Sequence, residues 1–165
     1  MKKNALVVDG LTKRYHDFVL DGVSFNVPHG TIVGLIGENG AGKSTTIKAI
    51  LDLIQKDAGT VTIFDKEDQN IDFITRNQIG VVFDGNNFPD SLTPKKLNRL
   101  LRIIYPLWDE TKYFTSLKRL SIPINKKVKT FSKGMKMKLA IAVAFSHHSK
   151  LLILDEATSG LDPVI

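Results

Sequence analysis

Gly37-Glu38-Asn39-Gly40-Ala41-Gly42-Lys43-Ser44 has the spacing G-x-x-x-x-G-K-S. It follows the continuous apolar run Thr31-Ile32-Val33-Gly34-Leu35-Ile36, which predicts a buried parallel strand. It precedes Ser44 to Ile54, where Ile47, Ile50, Leu51 and Ile54 recur at helical spacing. A glycine-rich turn with a surface lysine would need neither neighbour, so the strand-turn-helix setting selects a phosphate-binding loop. Glycines let successive backbone N–H groups and the helix N-terminus face a polyphosphate. Gly37, Asn39, Gly40, Ala41, Gly42, Lys43, Ser44 and Thr45 are therefore the candidate nucleotide-binding residues, with Lys43 on the outer phosphates and Ser44 on a magnesium ion.

A second element lies near the other end. Leu151-Leu152-Ile153-Leu154 reads as a buried strand that delivers Asp155 and Glu156 to its carboxyl end, where ligand sites of open parallel sheets lie. Asp155 is placed there as a magnesium ligand and Glu156 as the carboxylate that polarises an attacking water in ATP hydrolysis. A strand ending in Asp-Glu is by itself an ordinary solvated turn; the phosphate loop gives this one its meaning.

The composition agrees with one globular domain. The 165 residues hold 23 Lys+Arg against 17 Asp+Glu, four His, no Cys and 42% hydrophobic residues, which excludes collagen, a disordered chain and a disulfide scaffold. Without cysteine there is no thiolate zinc site and no redox pair, and a reducing cytoplasm is expected. Apolar runs such as Leu139 to Phe145 are too short to span a bilayer. Residues 111 to 154 carry ten basic side chains and no acid, a positive segment open to a solvated face, nucleic acid, anionic lipid or polyphosphate.

Further along the chain, Ala5 to Val8, Val23 to Val27, Gly59 to Phe64 and Ile79 to Phe83 read as strands. Thr93 to Tyr105 and Thr111 to Leu120 read as helices, and Ser132 caps a third running to about His147. His147 and His148 are expected at a solvated helix end rather than as a metal pair.

Phe131-Ser132-Lys133-Gly134-Met135 opens that basic helix about twenty residues before Asp155. With it the chain resembles the nucleotide-binding domain of ABC transporters, whose signature is usually Leu-Ser-Gly-Gly-Gln, here in a form that looks like the exporter branch. Tyr15 sits where that family stacks an aromatic on adenine, and Ser159-Gly160-Leu161-Asp162 matches its D-loop. The resemblance implies an α/β fold: a P-loop NTPase core with a parallel sheet, an antiparallel β edge and a helical subdomain inserted at about residues 86–145. It also implies ATP with Mg2+ as cofactors and export through partner membrane subunits, on the inner face of the cell membrane. Ser132 and Gly134 would face the ATP of a second nucleotide-binding domain, in a homo- or heterodimer, and no nucleic acid is expected as a partner.

The chain departs from the pattern at Asp84, where the family has a glutamine contacting magnesium and the attacking water. Asp84 is thus either a third metal ligand, adding like charge near Asp155 and Glu156, or a turn residue in Asp84-Gly85-Asn86-Asn87. The sequence also stops at Ile165, before the strand and switch histidine of the family; that strand would lie between Thr31–Ile36 and Leu151–Leu154. The expectation is a marginal chain that hydrolyses ATP negligibly by itself. A GTPase would need Asn-Lys-x-Asp, and Asn125-Lys126-Lys127-Val128 lacks the aspartate. The alternatives kept are an ATP-binding fragment without turnover and a soluble ABC ATPase acting on nucleic acid or ribosomes.

Overall fold

The computed structural model describes residues 3–67, 70–85 and 87–155. The chain divides into two units, Met1–Arg76 and Asn77–Ile165.

In the first unit, β1 (Asn4–Arg14) pairs antiparallel with β2 (Val19–Pro28) on one side and β3 (Ala58–Ile63) on the other, and β3 turns into β4 (Lys66–Glu67). The order β2-β1-β3-β4 makes β1 central, and both strands predicted at the start run longer than their apolar centres. Helix α1 (Lys43–Ile50) lies against β1; its Thr46, Ile47, Ala49 and Ile50 are buried, as are Leu6, Val8, Leu11, Val61 and Ile63 of the sheet. It ends four residues before the predicted Ile54, because Asp52 takes φ 58 and the chain leaves the helix. A short α2 (Phe73–Arg76) closes the unit.

One expectation fails here. Thr31–Ile36 is not a buried strand: it joins no ladder among the described residues, and Ile36 is 94% exposed. An apolar run becomes a buried strand only when neighbours pair its N–H and C=O groups, and no described strand does so.

In the second unit β5 (Ile79–Val82) and β6 (Leu151–Leu154) pair in parallel, from Ile79 opposite Leu151 to Val82 opposite Leu154. Between them in sequence come α3 (Pro94–Ile104), α4 (Glu110–Arg119), a single 3-10 turn at Val128–Thr130 and α5 (Lys133–Ser146). Each long helix starts on a side-chain cap: Thr93 accepts from the Lys96 N–H, Asp109 from Lys112 and Ser132 from Met135. Leu97, Leu101, Tyr113, Leu117, Val128, Phe131 and Leu139 form the helical core. Val82, Met137, Ala140 and Ala144 pack α5 onto β5.

His147 corrects the reading of a solvated helix end. It is 2% exposed, stacks on Tyr105 with centroids 4.2 Å apart, and its Nδ1 lies 3.0 Å from the Asn77 carbonyl. Burial lowers its pKa below the usual histidine value, against the opposing pull of that carbonyl. His148 stays exposed, so the solvated-end reading fails for His147 alone.

Candidate functional site: a phosphate loop and two strand-end carboxylates

The loop of residues 37–42 is shaped by its glycines and closed by its lysine. Gly40 and Gly42 take φ 86 and φ 92, values that L side chains rarely adopt. The Lys43 ammonium folds back to donate to the carbonyls of Gly37 (2.7 Å) and Glu38 (2.8 Å), and Ala41 N–H donates to Glu38 O. The first helical bond of α1 runs from Thr46 N to Gly42 O, 2.8 Å, so the N–H groups of Lys43, Ser44 and Thr45 belong to the turn that an α-helix leaves without intrahelical acceptors. No acid stands in that turn, so none of the helix's own first-turn side chains offsets the positive end toward an anion.

Gly42 has a second constraint that the motif does not show. A Cβ there would stand 2.8 Å from Phe18 Cζ and 2.9 Å from Leu20 Cδ1. Phe18 also receives the Tyr15 N–H on its carbonyl and holds its ring 6.4 Å from that of Tyr15. The turn between β1 and β2 thus carries Tyr15, 47% exposed, beside the phosphate loop. Lys13 lies 5.6 Å over the Tyr15 ring. Asp57 braces this end of β1: its carboxylate accepts from the Arg14 N–H and from Lys13, and these bonds, the Arg14 one foremost, lower its pKa. Phe18 and Asp57 were missed by sequence reading, which has no signal for an aromatic or acid placed by a neighbouring turn.

In the second unit the parallel register brings Asp84 and Asp155 to the carboxyl ends of adjacent strands. Asp155 is buried, and its N–H donates to Val82 O at 2.9 Å. Asp84 follows two residues after Val82, and Lys133 places its ammonium 2.8 Å from Oδ1 and 3.0 Å from Oδ2. The charge that sequence reading gave to Asp84 is therefore countered by Lys133 in the first turn of α5. Ser132 is exposed as the N-cap of α5, and Gly134 lies in its first turn. Glu156 and Ser159 to Asp162 lie outside the described residues. Taken unit by unit, the helix start of the first suits a polyphosphate and the strand-end oxygen donors of the second suit Mg2+.

No group of three or more metal-ligating His, Cys, Asp or Glu occurs among the described residues. None of the described helices is long and apolar enough to cross a membrane.

The ABC transporter family profile matches residues 20–159. The chain is 36% identical over 146 residues to the ABC transporter ATP-binding protein YtrB of Bacillus subtilis, covering 88% of this chain and 50% of the relative. It is 36% identical over 161 residues to a fluoroquinolones export ATP-binding protein of Mycobacterium tuberculosis, covering 95% of this chain and 54% of the relative. Among solved structures it is similar to the ATP-binding cassette MJ0796, a dimer in a post-hydrolysis state bound to ADP and Pi, with TM-score 0.80 and 25% identity over 96% of this chain and 76% of that one. The chain spans about half the length of these curated relatives. Its fold, an α/β P-loop core with antiparallel and parallel sheets, and its motifs place it plainly: the chain belongs to the ABC transporter family, among the ATP-binding proteins.

Proposed function

We propose that this chain is the nucleotide-binding part of an exporter-type ABC transporter subunit and that it binds ATP with magnesium for hydrolysis coupled to export. The observation that carries the reading is Lys43, held over the Gly37 and Glu38 carbonyls at the N-terminus of α1, where a polyphosphate would take its ammonium. The N–H groups of residues 37–45 would bind the phosphates and Tyr15 would stack on the base. Ser44 and Asp155 would hold the magnesium ion, while both Asp84 oxygens face the Lys133 ammonium. Magnesium, when bound, offsets phosphate charge. Glu156 would accept a proton from the attacking water, the role its place after Asp155 gives it.

Ser132 and Gly134 start a helix whose positive end would meet the nucleotide of a second such domain, supported by the dimeric neighbour bound to ADP and Pi. The helical subdomain, at about residues 86–145, is assigned to docking on membrane subunits, on the cytoplasmic face of the membrane. The export direction is supported by the fluoroquinolones export relative.

A second reading, ATP binding without turnover, is favoured by Thr31–Ile36, which feeds the phosphate loop yet joins no ladder among the described residues. Phosphate release from ATP and magnesium, measured on the chain and on Glu156→Gln, separates them. Release that Glu156→Gln abolishes supports the first reading; stoichiometric binding with no release from the unsubstituted chain selects the second. Equal release from both proteins would overturn the role of Glu156.

A further inference from the structure

The loop after β5 and the first turn of α5 are joined by two ion pairs. Lys133 contacts both carboxylate oxygens of Asp84, at 2.8 and 3.0 Å, and Lys136 contacts Asp90 at 3.2 Å. The two lysines stand three apart, so they share one face of the helix, and the two acids lie six apart on one loop. That loop is shaped from within. Asn87 accepts from the Phe83 N–H at 3.3 Å and donates to the carbonyls of Phe83 (2.9 Å) and Gly85 (3.2 Å), while the Asp90 carbonyl accepts from the Lys129 N–H, 3.1 Å. Farther along, α5 is fixed on β5 by Val82, Met137, Ala140 and Ala144. The ion pairs act at the exposed side of the turn that carries Ser132 and Gly134, beside the apolar packing of Phe88, Phe131 and Met135.

We propose that Asp84 and Lys133 form a charge clasp, reinforced by Asp90 and Lys136, that ties the start of α5 to the end of β5 so that the two move together. Two departures from the family pattern, an acid in place of glutamine and a lysine in place of glycine, are on this account partners in one device. Asp84 is then a positioning residue acting through Lys133. Calling this turn the signature segment rests on the proposed function; the clasp itself does not.

Amide hydrogen exchange at Met135 and Lys136, whose N–H groups bond to Ser132 Oγ and Ser132 O, reads the clasp in the whole chain without nucleotide. Lys133→Gln and Asp84→Asn should each speed exchange there about two- to fivefold, the range of an exposed pair, and the exchanged pair Asp84→Lys with Lys133→Asp should restore it. Where the doubly substituted chain fails to fold, salt decides: about 1 M NaCl should speed exchange in the unsubstituted chain and not in Lys133→Gln. Equal rates in the unsubstituted chain and Lys133→Gln, or no salt effect on either, would overturn the clasp. Failure of ATP binding in the same samples would instead strike the proposed function, since the exchange readings need no nucleotide.

Discussion

A Cβ on Gly42 would stand 2.8 Å from Phe18 Cζ, at a residue whose φ is +92°. The last glycine of the phosphate loop is thus fixed twice, by its own backbone and by an aromatic ring from the turn that carries Tyr15. Gly42→Ala should cost about 1–3 kcal/mol from backbone strain, with the ring clash added. A thermal melt and an ATP titration should both register it; a variant that melts and binds like the unsubstituted chain would remove this constraint.

Tyr15 stands half exposed beside that ring. Tyr15→Ala should weaken ATP about fivefold, as loss of a stacking contact of about 1 kcal/mol requires. Phe18→Ala should weaken it as well, although Phe18 touches no nucleotide in this account, because the turn would lose its rest against Gly42. Tyr15→Phe should bind nearly normally, since the ring and not the hydroxyl would stack on the base.

Asp155 closes β6 at its carboxyl end, with its N–H bonded to Val82 O. Asp155→Asn should raise the magnesium concentration for half-maximal ATP binding by about tenfold, while affinity for the nucleotide without metal changes little. Equal magnesium midpoints would take Asp155 out of the metal site.

His147 is buried against Tyr105 with its pKa lowered, so the unfolded chain binds more protons than the folded one once pH falls below the ordinary histidine value. Its contribution to stability is complete above about pH 6.5 and is lost as pH falls through the lowered folded value. His148 and Lys112 nearby push in the same direction. His147→Phe should keep the stack and flatten this part of the melting profile; an unchanged slope below pH about 6.5 would assign it to other groups.

The phosphate loop, the capped start of α5 and the strand ending at Asp155 were legible because each is fixed by local chemistry: glycine conformations, an N-cap serine and a continuous apolar run. Thr31–Ile36 was legible only as an apolar run, since a strand exists only when others pair with it and the run itself does not show whether they do. His147 was misread for a related reason. Its burial is decided by Tyr105, forty-two residues earlier, and by the Asn77 carbonyl, neither visible from a helix end. The lysine that answers Asp84 lies 49 residues away; the basic segment was evident, its partners were not.

Lys43 is the residue on which the proposed nucleotide site most depends. Isothermal titration of the chain with ATP and magnesium should show one nucleotide bound per chain, and Lys43→Ala should weaken it by at least about tenfold, the loss of charge-assisted hydrogen bonds to phosphate. Unchanged affinity in Lys43→Ala, or no binding to the unsubstituted chain, would contradict the assignment of residues 37–45 as the nucleotide site.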